Sequence, residues 1–446
     1  MALIASSIVF SSSHIFLFSV LILFILYTLR SSLSDQLSVS AYPSSIASHY
    51  PSEQTLRSRS LTEEQCRVAF PGLLKEVDDA VARGPFVQDK FDPENPLGPL
   101  RGRIRDGKLY ITFAKRENDM SKDAVRYRFA VLNQLYRAII TSPTPLPATT
   151  FSLTVSDTPR SGSWSFARPA ISPTSSSEPP QNHWPMPHFS HWTWPNPLVG
   201  PYDAVLARIA GIESTTPWGE KIDKAVWRGT LWFSPIGNKD LRKNLVNVAK
   251  GKEWADIEAG KAEVKNVTTG VVVEEGNEIG IEEFCRYKYI IYTDGVTYSG
   301  RLAFHQACAS VLITPPPTYL QPTTHLLRPL YSPTLPSSPP HPEWPPHPAT
   351  DANIIFVKPD WSDLESTILW LRDNPDVAEG IARRGREEVV RGGWWGEAAE
   401  ACYWRGLVRG WSEVAAGWEG EDGVEGVRWE EWSVRGVGNG GGRRGG

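Results

Sequence analysis

Two short apolar segments near the middle of the chain place the tightest limit on its fold. YKYIIYT (287–293) and SVLIT (310–314) have the composition of strands that are buried on both faces, and SGRLAFHQACA between them has helical spacing. Strands of this kind, joined through a helix, are typical of a parallel sheet that is covered by helices. The pattern therefore predicts an α/β fold.

Similar segments recur on both sides of this unit. A chain of 446 residues is longer than one domain usually needs, so we expect two α/β domains. Strand-like segments lie at 107–114, 149–157, 224–233 and 353–359. Helical spacing occurs at 123–140, 201–213, about 239–250 and 363–390.

The N-terminal region predicts a membrane anchor. Residues 8–29 carry no charge and are mostly apolar, which meets the need of about 20 residues for one spanning helix. A cleaved signal peptide is the alternative, but a basic start and a small-residue cleavage site are both missing. We predict a short cytoplasmic tail (1–7), a signal anchor (8–29) and a Ser-rich stem (30–60), with the rest of the chain in the secretory lumen.

The net charge and the cysteines limit which partners and which cellular compartment we expect for the protein. A formal net charge of -4 gives no reason to expect a nucleic-acid partner. The four cysteines lie beyond the stem, so a lumenal chain could form disulfides in any of three full connectivities. Asn266 begins a lone glycosylation sequon, which matters if the lumenal placement holds.

The helix between the two apolar segments has features of an anion site. We predict Ser299 as its N-cap and Gly300 in its first turn, at the carboxyl end of the sheet where α/β proteins bind ligands. Arg301 adds a planar group of donors that suits a diphosphate. An ion pair between Arg301 and Asp294 is an equally good interpretation of the spacing.

A second region of the sequence has residues that suit the same anion-binding site. WRGTLWFSPIGNKDLRKNL runs from a strand through Gly229 into a helix that carries Arg242 and Lys243. Arg228 and Arg242 could approach the ligand of Arg301, although Arg242 and Lys243 would equally suit a solvated helix face. The glycine-rich dinucleotide and P-loop fingerprints are absent from this region.

Several motifs occur in the order found in one enzyme family. They are LTEEQCRVAFPGLL, FSLTVSD, HFSHWTWPNPLVGPYDAV, WRGT, LRKNL, GKEWADIE, CRYKYIIYTDGVTYSGRLAFHQACASVLI and AAEACYWRG. Through this ordered set of motifs, the chain from about residue 61 to residue 412 resembles the capsule-associated-protein type of glycosyltransferases. That family includes protein O-glucosyltransferases and fungal capsule xylosyltransferases, and the resemblance is to its fungal branch.

The resemblance implies a GT-B-like fold, in which two Rossmann-like domains face a cleft. One N-terminal transmembrane helix is expected to precede these domains in the chain. The resemblance further implies a UDP-sugar donor, type II membrane topology and inversion at the anomeric carbon. We assign residues 61–200 to an acceptor-side domain and 201–412 to a nucleotide-sugar-binding domain that contains a Pro-rich loop (331–350). Residues 413–446 are expected to form a partly disordered C-terminal tail.

The resemblance also assigns roles to residues. Asp157, at the end of FSLTVSD, matches the catalytic base, although a turn-forming aspartate is the alternative interpretation. The expected donor-binding residues are Arg228, Gly229, Arg242, Tyr298, Ser299, Gly300 and Arg301. The chain has no Asp-x-Asp motif, so arginines replace a metal in stabilising the departing UDP, and we expect no metal and no cofactor.

The chain departs from the family in two places. His188 precedes Phe189 where relatives often have an acidic residue, and His188, Trp192 and Trp194 are our candidates for acceptor binding. The nearby histidines have no regular metal-ligand spacing. Another departure is the stretch 331–353, which is longer and richer in proline than expected, as in a surface insertion or a retained intron.

These features predict an inverting, metal-independent glycosyltransferase of the Golgi or endoplasmic reticulum. It would transfer xylose or glucose from a UDP-sugar to a hydroxyl group of a glycan or protein. An inactive lumenal protein that binds a UDP-sugar or a glycan on the same scaffold is the alternative. A glycosidase ranks last, because no acid–base pair of carboxylates can be assigned.

Overall fold

Strands and helices alternate along the chain in a computed structural model that describes residues 50–88, 100–115, 117–170, 182–261, 264–265, 272–274, 276–332, 343–417 and 425–435. The predicted cytoplasmic tail and signal anchor lie outside the described residues, as do Asn266 and the last residues of the C-terminal tail. None of the described helices combines the length and the apolar character that crossing a bilayer requires.

The described helices are α1 (Glu53–Leu56), α2 (Glu63–Ala69), α3 (Lys75–Ala82), α4 (Lys122–Ile140), α5 (Tyr202–Thr215), α6 (Leu241–Ala249), α7 (Leu302–His305), α8 (Leu364–Asp373), α9 (Pro375–Arg386), α10 (Glu397–Val414) and α11 (Trp429–Arg435). Shorter 3₁₀ turns lie at Glu117–Asp119, Phe189–His191, Trp218–Glu220, Ile281–Arg286 and Thr324–Leu326, and a π-helical turn at Glu387–Arg391.

The described strands are β1 (Phe86–Val87), β2 (Leu100–Arg105), β3 (Lys108–Phe113), β4 (Thr149–Leu153), β5 (Ser163–Ser165), β6 (Arg168–Pro169), β7 (His183–Pro185), β8 (Thr193–Trp194), β9 (Gly200–Pro201), β10 (Ile222–Gly229), β11 (Ala255–Ala259), β12 (Val264–Lys265), β13 (Val272–Glu274), β14 (Tyr287–Ile291), β15 (Val311–Thr314), β16 (Tyr319–Leu320), β17 (Pro329–Tyr331), β18 (Ile354–Phe356), β19 (Ala415–Ala416) and β20 (Val427–Arg428).

The second half of the chain contributes a six-stranded sheet in the order β11-β10-β14-β15-β18-β17, with all neighbours parallel. Its central strands are apolar on both faces. Ile290 and Leu312 pack into one hydrophobic cluster, while Ile291 and Ile313 pack into a second cluster on the opposite face. Burial on both faces explains the continuous apolar segments of the sequence and confirms the α/β prediction.

The first half contributes a mixed six-stranded sheet in the order β20-β3-β2-β4-β5-β7. Strands β2, β3, β4 and β20 pair antiparallel, and β4, β5 and β7 pair parallel. Strand β4 ends at Leu153, before the end of the predicted strand 149–157, so Asp157 lies in the following loop. Strand β20 and helix α11 come from the predicted C-terminal tail and bury Trp429 and Trp432.

Helix α10 returns from the second half of the chain to pack against α3 and α4. A disulfide between Cys66 and Cys402 joins α10 to α2, and a second disulfide joins Cys285 to Cys308. The buried guanidinium of Arg405 also donates to the carbonyl of Ala138 at 3.0 Å. Residues 397–414, which the sequence assigns to the second domain, therefore pack against elements that it assigns to the first.

Candidate active site

The order of the parallel strands reverses between β10 and β14. The chain leaves β10 through α6 and returns as β11 on one side, whereas β15 continues the sheet on the other side. In open parallel sheets, ligands bind beyond the carboxyl ends of the strands at such a switch point. The loops that leave β10 and β14, residues 230–240 and 292–301, therefore form the first part of a candidate site.

The loop 292–301 folds back on itself. The amide of Gly295 donates to the carbonyl of Tyr298 at 2.9 Å, and the amide of Ser299 donates to the Tyr292 hydroxyl at 2.9 Å. A Cβ atom on Gly295 would lie 2.7 Å from the Tyr298 carbonyl oxygen. The close approach of these backbone groups therefore requires glycine at position 295.

The predicted helix start at Ser299 is wrong. Helix α7 begins at Leu302, and Arg301 occupies the N-cap position. Ser299 stays in the preceding turn because its amide and its carbonyl both bond to the Tyr292 hydroxyl. Its own hydroxyl still accepts from the Arg301 amide at 3.4 Å. Since α7 is a single turn, its dipole is weak, and the positive charge at this position comes from side chains.

Arg242 joins the two loops. Its buried side chain, on α6, donates from Nε to the Asp294 carbonyl at 3.1 Å and from Nη1 to the Thr230 carbonyl at 2.9 Å. Burial, together with the positive charge of Arg301, lowers the pKa of Arg242 to about 10. Arg242 therefore remains cationic at neutral pH, close to a second cation.

Arg301 is the second cation. Its Nη1 donates to the Arg228 carbonyl, and burial lowers the pKa of its guanidinium. Among the described residues, neither Arg242 nor Arg301 has a carboxylate within ion-pair distance. The ion pair of Arg301 with Asp294, the alternative from the sequence, is thus not formed. Two neighbouring cations without an acidic partner attract an anionic ligand.

Asp294 leaves this positive charge uncompensated only below about pH 7. Its buried carboxyl group accepts from the Thr318 amide at 3.3 Å through Oδ2, and its Oδ1 has no hydrogen-bond partner among the described residues. Burial raises the pKa of Asp294 to about 7. Below that pH the group is mainly neutral, so the site carries the charge of both arginines.

Arg228 and Gly229 have structural contacts. The Arg228 guanidinium donates from Nη2 to Asp256 Oδ1 at 2.6 Å and from Nη1 to the Asp256 carbonyl at 2.7 Å. Gly229 lies against the Trp227 ring, where a Cβ atom would come within 2.7 Å. The structure therefore brings Arg242 and Arg301 together, whereas Arg228 offers its carbonyl group to this pair.

Asp157 lies opposite the turn of the loop 292–301. The Thr297 hydroxyl donates to the Asp157 carbonyl at 2.5 Å. The Asp157 side chain is exposed to solvent, yet the protein atoms around it raise its pKa by desolvation, as expected for a carboxylate inside a concave surface. The negative charge of Asp157 helps to raise the pKa values of Tyr127 and Tyr298, so both hydroxyls lie near it.

The candidate acceptor residues fall into two places. His188 and Trp194 pack against the loop 292–301: a Cβ atom on Gly300 would lie 2.5 Å from His188 Cε1 and 3.0 Å from the Trp194 ring. His188 is buried, its Nδ1 lies 2.8 Å from the Ser190 hydroxyl, and burial lowers its pKa well below the usual value. Trp192 instead stacks on Arg137, 4.7 Å from the ring centroid.

A comparison with protein families identifies the class of this site. The sequence profile of glycosyl transferase family 90 matches residues 99–340, more than half of the chain, and the match includes Asp157, Arg242 and Arg301. The chain belongs to glycosyl transferase family 90. The curated proteins include no match to it. Membership makes the protein a glycosyltransferase enzyme, with a sugar donor and an acceptor as its substrates.

Sequence reasoning missed three residues of the site in this family 90 enzyme. Thr297 lies beside the predicted Tyr298, but a threonine between a turn and a tyrosine carries no signal of its own. Tyr292 resembles the other aromatic residues of a buried strand. Tyr127 lies on the helical pattern of α4, where its stacking on Phe189, with ring centroids 3.6 Å apart, resembles core packing.

The loop after β10 of this glycosyltransferase is unusually apolar for an exposed segment. The predicted strand 224–233 ends at Gly229, and the exposed side chains that follow include Trp232, of which 75% is accessible. Both ends of the loop are fixed to the site: Thr230 accepts from Arg242, and the Ile236 amide donates to the Val296 carbonyl at 3.0 Å. The exposed large hydrophobic residues of the loop are Leu231, Trp232, Phe233 and Ile236.

The described residues bring together one group of potential metal ligands, and none of its members is a residue of the candidate site. Glu213, Cys285 and Cys308 have ligand atoms within 4.8 Å of one another. The two cysteines form a disulfide, and one Glu213 oxygen accepts from the Ala309 amide at 2.8 Å and from Lys221 Nζ at 2.9 Å. This group therefore serves the fold of the family 90 enzyme, since a disulfide provides no thiolate.

Proposed function

We propose that this glycosyltransferase transfers xylose or glucose from a UDP-sugar to a hydroxyl group of a glycan or protein, with inversion and without a metal. The observation that carries the proposal is the pair of cations, Arg242 and Arg301, at the switch point of the parallel sheet. Neither has a carboxylate within ion-pair distance among the described residues, and Thr297 joins the loop between them to Asp157. A nucleoside diphosphate would supply the missing negative charge.

In the proposed reaction, Asp157 takes the proton of the acceptor hydroxyl group. The acceptor oxygen forms a bond to the anomeric carbon as the bond from that carbon to the diphosphate breaks, and the bonding electrons leave with the diphosphate. Arg242 and Arg301 stabilise the negative charge that develops there. Desolvation raises the pKa of Asp157, which makes it a better proton acceptor than a fully solvated aspartate.

The proposal extends to the setting of the enzyme. The sequence favours the fungal branch of the family, a GT-B-like arrangement of two Rossmann-like domains and type II anchoring through residues 8–29 in the Golgi or endoplasmic reticulum. The all-parallel sheet with its switch point is consistent with the nucleotide-binding half of such a fold. The lumenal catalytic part is supported by the presence of both disulfides.

The test compares the full chain, purified in detergent, with its Asp157→Asn variant. Both are incubated in EDTA with UDP-glucose, UDP-xylose and simple sugar acceptors, and UDP release is measured. We expect release with one donor by the wild type and a loss of at least about a hundredfold in the variant. Full activity of Asp157→Asn would remove Asp157 from the mechanism, and activity that requires added metal would contradict the metal-independent proposal.

A further inference from the structure

A threonine connects the proposed base to the proposed donor site. The Thr297 side chain is fully buried, and its hydroxyl donates to the Asp157 carbonyl at 2.5 Å. The two residues lie in loops that follow strands of different sheets: Asp157 follows β4 of the mixed sheet, whereas Thr297 follows β14 of the parallel sheet. The bond therefore joins the loop of the base to the loop of the cations.

The loop that carries Thr297 is itself held by the cation site. Arg242 donates to the Asp294 carbonyl, and the Val296 carbonyl accepts from the amide of Ile236 in the loop after β10. The turn is closed by the bond from the Gly295 amide to the Tyr298 carbonyl. A ligand that orders Arg242 would thus also fix the backbone on both sides of Thr297.

Tyr298, the next residue, feels the charge of the Asp157 side chain. Its buried hydroxyl has no hydrogen-bond partner among the described residues, and the charge of Asp157 is close enough to raise its pKa. Thr297 thus holds the main chain at Asp157, while the charge of the Asp157 carboxylate acts on the neighbouring Tyr298.

The loop that follows β4 and carries Asp157 has local hydrogen bonds of its own. The amide of Ser156 donates to the Thr154 hydroxyl, and the amide of Thr158 donates to the Ser156 hydroxyl, each at 3.2 Å. These bonds set the path of the loop locally but do not fix it to the parallel sheet. The Thr297 hydroxyl makes that connection.

We infer that Thr297 is a positioning residue that transmits donor binding at Arg242 and Arg301 to the orientation of Asp157. This inference rests on the proposed function, because it takes Asp157 as the base and the arginines as the donor site. A displacement of a catalytic group by about 1 Å can cost up to about a hundredfold in rate, so one hydrogen bond to its backbone can control the chemical step.

Hydrogen exchange tests the link without need of an acceptor. The full chain in detergent, wild type and variants, is labelled with and without UDP, and exchange is followed in peptides that cover residues 154–160 and 294–301. In the wild type we expect UDP to slow exchange in both segments. In Thr297→Val, which keeps the branched shape and loses the hydroxyl group, we expect protection of 294–301 to remain and that of 154–160 to be lost.

Two further variants control this comparison. Thr297→Ser restores the hydroxyl group and should restore protection of 154–160. Thr158→Val removes an exposed hydroxyl group beside Asp157, and this variant should retain the protection of 154–160. If 154–160 is protected equally in Thr297→Val and the wild type, the inference is overturned. If UDP protects neither segment of the wild type, the donor-site assignment fails, and the inference fails with it.

Kinetics separate positioning from a general loss of structure. For Thr297→Val we expect kcat to fall about tenfold while the Kd for UDP stays within about twofold, and Thr297→Ser should recover most of kcat. An unchanged kcat would overturn the inference, as would a loss of UDP affinity equal to the loss of kcat. An active Asp157→Asn variant would instead refute the proposed base, whatever the result for Thr297.

Discussion

The Arg301 guanidinium donates to the carbonyl oxygen of Arg228, while the Arg228 guanidinium is bound to Asp256. Two arginines that the sequence assigns to one ligand therefore have different partners. Arg228 supplies a backbone acceptor and an ion pair across the edge of the parallel sheet. Arg301 stays free of any carboxylate among the described residues. This difference in partners leads to different expectations for the two side chains.

Removing either free cation should weaken nucleotide binding. We expect Arg301→Gln and Arg242→Gln each to reduce UDP affinity by about ten- to a hundredfold, because each removes charge-assisted hydrogen bonds to a diphosphate. Isothermal titration calorimetry with UDP measures the change. Lys243→Gln is the matched control, since Lys243 is the exposed neighbour of Arg242 on α6 and should leave affinity unchanged. Equal effects of Arg242→Gln and Lys243→Gln would indicate a long-range charge effect only.

Arg228→Gln should act on stability instead. The variant loses the half-buried pair with Asp256 and the bonds to carbonyl oxygens, yet it keeps the backbone carbonyl that accepts from Arg301. We expect the free energy of unfolding to fall by about 1–3 kcal/mol and the UDP affinity of the folded protein to change little. Thermal unfolding and calorimetry on the same samples distinguish the two effects. A loss of affinity without a loss of stability would return Arg228 to the donor site.

The parallel sheet was predictable because burial on both faces leaves a direct trace in the sequence. Continuous apolar segments such as 287–293 have no other stable place in an α/β fold, and β14 and β15 occur where they were expected. The helix cap was not predictable. Ser299 has the chemistry of an N-cap, but the Tyr292 hydroxyl competes for its backbone groups, and only the folded loop brings those groups together.

The same reasoning applies to the site. Arg242 and Arg301 could be paired from their positions after two adjacent strands, because carboxyl ends of parallel strands share one edge. The contact between Thr297 and Asp157 joins segments from two sheets, and sequence spacing carries no information on how two sheets approach each other. His188 illustrates the same limit: the structure buries it against Gly300, which the sequence did not predict, and its contact with an acceptor stays a prediction.

Gly300 should not tolerate a side chain. A Cβ atom there would lie 2.5 Å from His188 Cε1 and 3.0 Å from the Trp194 ring, and both rings are packed. We expect Gly300→Ala to lower the free energy of unfolding by about 1–3 kcal/mol and to weaken UDP binding, because the next residue is Arg301. Gly219→Ala, with no atom within 4 Å of the new Cβ, should change neither quantity. Wild-type binding by Gly300→Ala would show that the loop can move away from His188.

The two disulfides should differ in their effect on binding. Replacing Cys66 and Cys402 by alanine is expected to lower the free energy of unfolding by about 4–5 kcal/mol, because the bond closes a loop that spans most of the chain. The bond between Cys285 and Cys308 encloses the loop 292–301. Its replacement should therefore also weaken UDP binding. Thermal unfolding and UDP calorimetry on both double variants test this, and equal UDP affinities would contradict it.

The affinity for UDP should depend on the ionisation of Asp294. Its pKa of about 7 means that the carboxyl group is mainly neutral at pH 6 and mainly ionised at pH 8. Ionisation adds a negative charge beside Arg242, whose Nε contacts the Asp294 carbonyl. The positive charge of the proposed donor site therefore falls as the pH rises. We expect the ionisation of Asp294 to contribute a decrease of about three- to tenfold in UDP affinity from pH 6 to pH 8, measured relative to a variant that cannot ionise at this position.

Asp294→Asn isolates this contribution, because it keeps the shape of the side chain and cannot ionise. UDP has its own phosphate ionisation near pH 6, but this affects both proteins equally and cancels in the comparison. The variant should bind UDP more tightly than the wild type at pH 8 and about equally at pH 6, as measured by calorimetry in matched buffers. The same ratio of affinities at both pH values would mean that Asp294 keeps one charge state throughout. In that case, the positive charge of the donor site would not vary over this range.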